Sequence, residues 1–158
     1  MTTTEELLKQ PYTLHIERDF ASSPATIWRC WTEGDLLMQW YCPKPWRVTS
    51  ATLDVEPGGH FDTVFEGPAG EKFDNRGEYL EVEQGHRLVF GSRENDSVPF
   101  EMTGFVDITE NGKGGTRMIW GAAHPTEKAM QDHAEMGFEA GWNAAADQLD
   151  ELARALEG

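Results

Sequence analysis

The last thirty or so residues constrain this chain more than any other stretch. From Thr126 to Leu156, Phe138, Gly141, Ala145, Leu149, Leu152 and Leu156 recur at steps of three or four, which places them on one face of an α-helix. Gln131, Asp132, Glu135, Glu139, Asp147, Asp150 and Glu151 supply the wet side. Pro125 and Thr126 suit a helix start, and Glu127 puts an anion in the first turn, where the dipole favours it. One helix over that span is roughly 45 Å long. Such a helix needs a broad surface to lie on, and the rest of the chain must supply it. The near half of its apolar face is small: Gly137, Gly141 and alanines flank Phe138 and Trp142. Two glycines inside a helix cost about 1 kcal/mol each. Small residues there either let a sheet come close or leave room for a bound molecule.

The remainder reads mainly as strands. Met1 to Pro11 is loose chain or a short helix. From Tyr12 to Phe20, Leu14, Ile16 and Phe20 alternate with polar residues, the pattern of a half-buried strand. Ser23 and Pro24 form an N-cap and first helical position, followed by Ile27, Trp28 and Trp31 at helical spacing. A second short helix is expected from Glu33 to Trp40. The period then returns to two. Ala51, Leu53 and Val55 share a face; Pro57-Gly58-Gly59 turns the chain into Phe61, Thr63 and Phe65. Lys72 to Glu83 places Tyr79 on one face and Leu80 and Val82 on the other. Arg87 to Arg93 comes after Gln84-Gly85, and Asn95-Asp96 marks another turn. Val98, Phe100, Met102, Gly104, Val106 and Ile108 alternate along one long strand. Asn111 to Gly115 turns into Thr116 to Ala122, with Met118 and Trp120 on one face. Tight turns predict an antiparallel meander, and one apolar face per strand predicts one covered face and one wet face. Residues 12–156 read as a single domain after the lead-in, residues 1–11.

Charge narrows the partners. The chain carries 28 acidic and 13 basic side chains, a net charge of −15. Nucleic acid needs a basic footprint, and anionic membrane surfaces repel such a protein. No run approaches the ~18 apolar residues of a membrane span. Cys30 and Cys42 are too few for a disulfide scaffold or a thiolate zinc site. The start, MTTTEELLKQ, lacks a signal peptide's apolar core, so a cytoplasmic protein is expected.

Four stretches carry a resemblance. They are Phe20 to Trp28, Leu37 to Pro43, Leu53 to Phe61, and Gly115 to Met118 followed by Gly141-Trp142 and Leu149 to Leu152. In this order they resemble the family of domains related to the C-terminal part of the heat-shock protein 90 ATPase activator, within the START/Bet v 1-like (SRPBCC) superfamily. The resemblance spans roughly residues 12 to 156. It implies the α+β helix-grip fold, with about seven antiparallel strands curved around the C-terminal helix and two short helices after the first strand. It also implies a cavity between helix and sheet. In the superfamily that cavity takes apolar or amphipathic small molecules, and in some branches it performs cyclase or related chemistry. Ligand binding is therefore the first expectation, a cyclase- or hydrolase-type enzyme using the same cavity the second, and a chaperone-associated interaction module the third; the third is the weakest, because chaperone activators carry an additional N-terminal domain for which this chain has no room. No cofactor is implied, and homodimerisation is left open.

The candidate ligand-binding residues are Trp40, Phe61, Phe65, Arg76, Tyr79, Phe90, Met102, Trp120, His133, Gly137, Phe138 and Gly141. Most are aromatic and inward by alternation, and a pocket would be a subset with one or two polar groups to orient a guest. Arg76, between Phe73 and Tyr79, is expected to point inward toward an acidic ligand. His133 is the candidate acid/base, at the mouth of the cavity with Glu135. Trp28 and Trp31 are read as packing beneath the first helices. His60 and Asp62 share a strand face without a matched third ligand, so no metal site is assigned.

Overall fold

The computed structural model describes residues 3–92 and 102–158. Seven strands, β1 (Thr13–Phe20), β2 (Arg47–Leu53), β3 (His60–Glu66), β4 (Lys72–Glu83), β5 (Arg87–Ser92), β6 (Thr103–Glu110) and β7 (Thr116–Ala123), form one sheet in the order β1-β7-β6-β5-β4-β3-β2. Every neighbouring pair is antiparallel. The meander and the strand number agree with the expectation, because each tight turn returns the chain beside itself. Helices α2 (Pro24–Thr32) and α3 (Gly34–Leu37) come after β1, and Ser23 caps α2 by accepting from the Thr26 backbone N–H. The second short helix ends at Leu37, and a looser turn, with Trp40 N donating to the Leu37 carbonyl at 3.2 Å, carries the chain to Trp40. No described helix is long and apolar enough to cross a membrane.

The single terminal helix becomes two. α4 (Glu127–Glu135) and α5 (Phe138–Glu157) are separated at Gly137, whose φ of 91° is left-handed. Only glycine takes that conformation at little cost. Gly137 therefore sets the break rather than clearing space beside one straight helix. α5 covers the inner face of the sheet, burying Phe138, Ala145, Ala146, Leu149 and Ala153. Leu156, expected in the core, is 38% exposed. The buried stripe drifts toward Ala146 and Ala153 because the helical period of 3.6 is not a whole number of residues.

Inner-face rows run straight across the sheet. Ile16, Trp120, Val106, Leu88 and Val82 are successive partners, and so are Leu14, Ala122, Gly104, Phe90 and Tyr79. Tyr79 and Val82 thus share the inner face, against the simple alternation that would separate them. The register of β4 against β5 shifts between Tyr79 and Glu81. A bulge inserts one extra residue and re-aims the side chains beyond it, leaving Leu80 exposed.

The outer face is not uniformly wet. The lead-in is helix α1 (Thr4–Lys9), and its Leu7 packs with Val89 and Phe105, with Leu8 and Ile119 alongside. Beside them Arg87 is buried; its Nε donates to Thr4 Oγ1 at 3.0 Å and its Nη1 to Glu81 at 3.2 Å, while Thr4 Oγ1 donates to Asp107 at 2.6 Å. β5 is therefore buried on both faces. The long alternating stretch from Val98 is described only from Met102, with β6 starting at Thr103; Val98, Phe100, Arg93 and the Asn95-Asp96 turn lie outside the described residues.

Candidate functional site

Three anchors hold the aromatic interior in place. Trp40 Nε1 donates to the Cys30 carbonyl at 2.9 Å. Gln148 on α5 donates to the carbonyls of Trp40 (3.0 Å) and Cys42 (2.9 Å), while its Oε1 accepts from Lys44 N at 3.0 Å. Arg18 on β1 reaches the Asn143 carbonyl and Asp147 on α5. These bonds fix the helix and the loop after α3 against the sheet.

Within that frame the rings form one continuous set. Trp31 meets Trp40, Trp120 and Phe90 at centroid distances of 4.8, 5.1 and 6.4 Å. Phe61 contacts Tyr79 (5.2 Å) and Phe90 (4.8 Å). Tyr41 reaches both Phe61 (5.7 Å) and Phe65 (5.9 Å). Tyr41, Trp120 and Trp142 stack in sequence, at 5.9 Å and 4.1 Å with planes 25° and 21° apart. Phe138 lies beyond Trp142 at 4.3 Å, and His133 stands edge-on to both, at 5.0 and 5.6 Å. Tyr41, Phe65, Met102 and Trp142 are half-buried, whereas Trp31, Trp40, Tyr79 and Trp120 are fully enclosed. Aromatic surface thus runs from the interior toward solvent along the N-terminal end of α5.

Polar groups inside this set are few. Trp31 Nε1, Trp120 Nε1 and Tyr79 Oη are buried without a hydrogen-bond partner. Burial, with the nearby Asp54 charge adding to it, holds the Tyr79 phenol well above its usual range, so it stays protonated. His133 is buried at the rim, its ring bonded to His124 at 2.9 Å. Burial, reinforced by His124, lowers its pKa to about 4. Burial also lowers that of His124, against a smaller opposing effect of the Tyr12 carbonyl. Cys30 and Cys42 are free thiols pushed up to about 11 by burial, the reverse of what activates a nucleophile.

Most of the sequence-derived positions come together here. Trp40, Phe61, Phe65, Tyr79, Phe90, Trp120, His133 and Phe138 belong to the connected ring set, and Met102 shares the inner-face parity of Gly104 at the start of β6. Gly141 faces the loop, where an added Cβ would make an ordinary contact with Pro43 at 3.9 Å. Arg76 is not in the interior. It pairs with Asp62 in register on the outer face, donates to Asp74 at 3.2 Å and is exposed. Residues of β4 alternate, and Gly77 opposite inward Phe61 assigns Arg76 to the other side. There it helps line a groove of about 670 Å³ with Ser50, Thr52, His60, Asp62, Val64 and Asp74. His60 Nδ1 lies 3.1 Å from Asp62, and among the described residues no three His, Cys, Asp or Glu side chains are grouped to hold a metal.

Sequence reasoning misses Trp31 and Tyr41 as site residues. Trp31 lies one helical turn past Ile27 and Trp28, so its spacing shows burial but not the company it keeps. Tyr41 sits next to Trp40 with no periodic signal. Nothing local links His124 to His133, so that pair leaves no mark in the sequence.

Comparison with known proteins agrees with this architecture. A structure from Nitrosomonas europaea superposes with a TM-score of 0.85 at 36% identity, over 92% of this chain and 96% of that one. A Mycobacterium smegmatis protein gives 0.81 at 27% identity, over 94% and 96%. A Silicibacter pomeroyi protein described as AHSA1 gives 0.72 at 22% identity, over 92% and 99%, a likeness of fold. No curated protein matches this chain. The sequence profile of the activator of Hsp90 ATPase homolog 1-like family matches residues 21–154. That span runs from the start of α2 through nearly all of α5 and takes in every ring of the aromatic set, so the chain belongs to the activator of Hsp90 ATPase homolog 1-like family.

Proposed function

We propose that this protein binds a small apolar or amphipathic molecule between the N-terminal half of α5 and the inner face of the sheet. One observation carries the reading: three buried hydrogen-bonding groups, Trp31 Nε1, Trp120 Nε1 and Tyr79 Oη, lack partners inside an aromatic interior. Each such group costs about 1–3 kcal/mol when left unpaired, and native interiors keep few of them. A flat guest bearing acceptor atoms would satisfy them and stack on Trp120 in the place where Trp142 now lies. The family fold, in which sheet and helix enclose such space, supports the same reading.

Native mass spectrometry of the protein isolated from its own cells tests this. A stoichiometric added mass released on denaturation is expected, and the released compound should raise the unfolding temperature. An unliganded mass, with no thermal shift from flat carbonyl-bearing compounds, would remove the proposal. Trp120→Phe keeps a ring but drops the indole N–H, and should weaken such a compound about fivefold.

The His124–His133 bond favours a second reading, an enzyme of cyclase or hydrolase type with His133 as base. It requires turnover that disappears in His133→Phe, and no turnover on polyketide-like, ester or lactone substrates would count against it.

A further inference from the structure

Polar residues interrupt the inner face of the sheet between β3 and β4. Phe61 and Gly77 are register partners on that face, and the next pair along the same strands to face inward is Thr63 with Asn75. Thr63 is 2% exposed and Asn75 is half-buried. The side chains meet in one long contact, in which Asn75 Nδ2 donates to Thr63 Oγ1 at 3.5 Å, beyond the usual range of about 2.7–3.2 Å. Neither side chain makes another hydrogen bond among the described residues. Thr63 Oγ1 accepts in that contact, so its own hydrogen remains to donate, and Asn75 Oδ1 remains to accept. An enclosed hydroxyl without an acceptor is costly. The sheet beside the pair is low, because Gly77 and Ser92 are partners on that face and neither side chain extends beyond one oxygen. Ser92 Oγ is turned to the Met102 carbonyl at 3.4 Å. The charged residues of β4 from Lys72 to Glu78 alternate onto the other face.

We propose that Thr63 and Asn75 form the polar pole of the ligand site, and that the ligand presents to them a neutral lactam or carboxamide edge, a carbonyl beside an N–H. This rests on the aromatic interior being the binding site. Thr63 Oγ1 donates to the ligand carbonyl, and Asn75 Oδ1 accepts from the ligand N–H. A donor and an acceptor side by side read that edge and discriminate against a carbonyl alone. A carboxylate is disfavoured, because it would meet the Asn75 oxygen and, among the described residues, no cation of β3 or β4 stands on that face to pair with it. Phe61 lies two residues along β3 from Thr63, about 7 Å away, and its ring contacts Tyr79 and Phe90. A flat ring bearing the lactam edge therefore reaches the polar pair while it lies against the aromatic set.

Two flat probes of one shape test this: 2-quinolinone, which carries an N–H beside its carbonyl, and coumarin, in which an oxygen replaces that N–H. In calorimetric titrations the wild-type protein should bind 2-quinolinone about fivefold more tightly, a comparison that needs no variant to fold. Asn75→Leu should abolish the preference without weakening coumarin. Thr63→Val, of the same shape but without the hydroxyl, should weaken both probes about fivefold and keep their ratio, since both carry the carbonyl. A general loosening of the fold would weaken both probes alike, so the loss of preference in Asn75→Leu reports contact with the ligand. Equal binding of the two probes by the wild type, or a preference that survives Asn75→Leu, overturns the proposal while leaving the pocket intact. Binding of neither probe also overturns it, and together with an unliganded native mass removes the pocket reading as well.

Discussion

Single residues set the tolerances of the interior. Gly104 lies directly opposite Phe90, and an added Cβ would overlap that ring. Gly104→Ala should destabilise the protein by about 1–3 kcal/mol, the usual cost of overpacking, seen as a lower denaturation midpoint with an unchanged slope. The His133 pair gives a pH signature. Its folded-state pKa of about 4 lies below the ordinary 6.5. Between those values the unfolded chain binds a proton that the folded one refuses, so stability is fully present above about 6.5 and falls as pH drops toward 4. The loss is on the order of 2–3 kcal/mol. Denaturation at several pH values should show it, and His133→Phe should flatten the slope over that window. A wild-type curve no steeper than the variant's would refute it. Of these features, the inward parity of Phe90 and Gly104 was legible from alternation alone. The histidine pair was not, because His124 follows the end of β7 and His133 lies on α4, nine residues on, and no single periodicity runs through both.

At the scale of elements, the break between α4 and α5 and the placement of α1 are the informative departures. Gly137 alone adopts the left-handed turn between the two helices, and an added Cβ there meets nothing within 4 Å. Its replacement therefore tests backbone conformation without a steric clash. Gly137→Ala should cost about 1–2 kcal/mol, measured by chemical denaturation, whereas an unchanged midpoint would mean that the turn relaxes freely. α1 covers Val89 and Phe105 and brings Thr4 to Arg87. Leu7→Ala should cost about 2–5 kcal/mol, as for other buried leucines, and should speed amide exchange in β5 and β6 ahead of β2 and β3. Uniform acceleration would argue against α1 as a local cover. The periodicity of the terminal helix showed its amphipathic face but not its interruption, since an isolated glycine inside a helical pattern is commonly tolerated.

For the whole molecule, the net charge of −15 matters more than any single pair. Like charges spread over one small body repel more when folded than when unfolded. Raising salt from about 0.01 M to about 0.5 M shortens the screening length from roughly 30 Å to a few ångströms. The melting temperature should rise, by roughly 2–4 °C for each kcal/mol of repulsion relieved. No change would mean that local ion pairs such as Arg117–Glu17 and Arg154–Asp150 already balance the surface.

The sequence by itself determined the kinds of element, their order and the face each presents. Those stem from local chemistry: period two or 3.6, caps such as Ser23, and glycine turns that reverse a strand beside its neighbour. Tertiary structure alone decided the rest. Parity counted from Tyr79 to Val82 failed at the bulge, because a bulge depends on the partner strand. Arg76 went outward because its register with Asp62, and that of Gly77 with Phe61, fixed its side. Closing the sheet on α5 brought Trp31, Tyr41, Trp120 and Trp142 into one ring set and placed His124 against His133. Such encounters depend on curvature and register summed over seven strands, which no short stretch of residues contains.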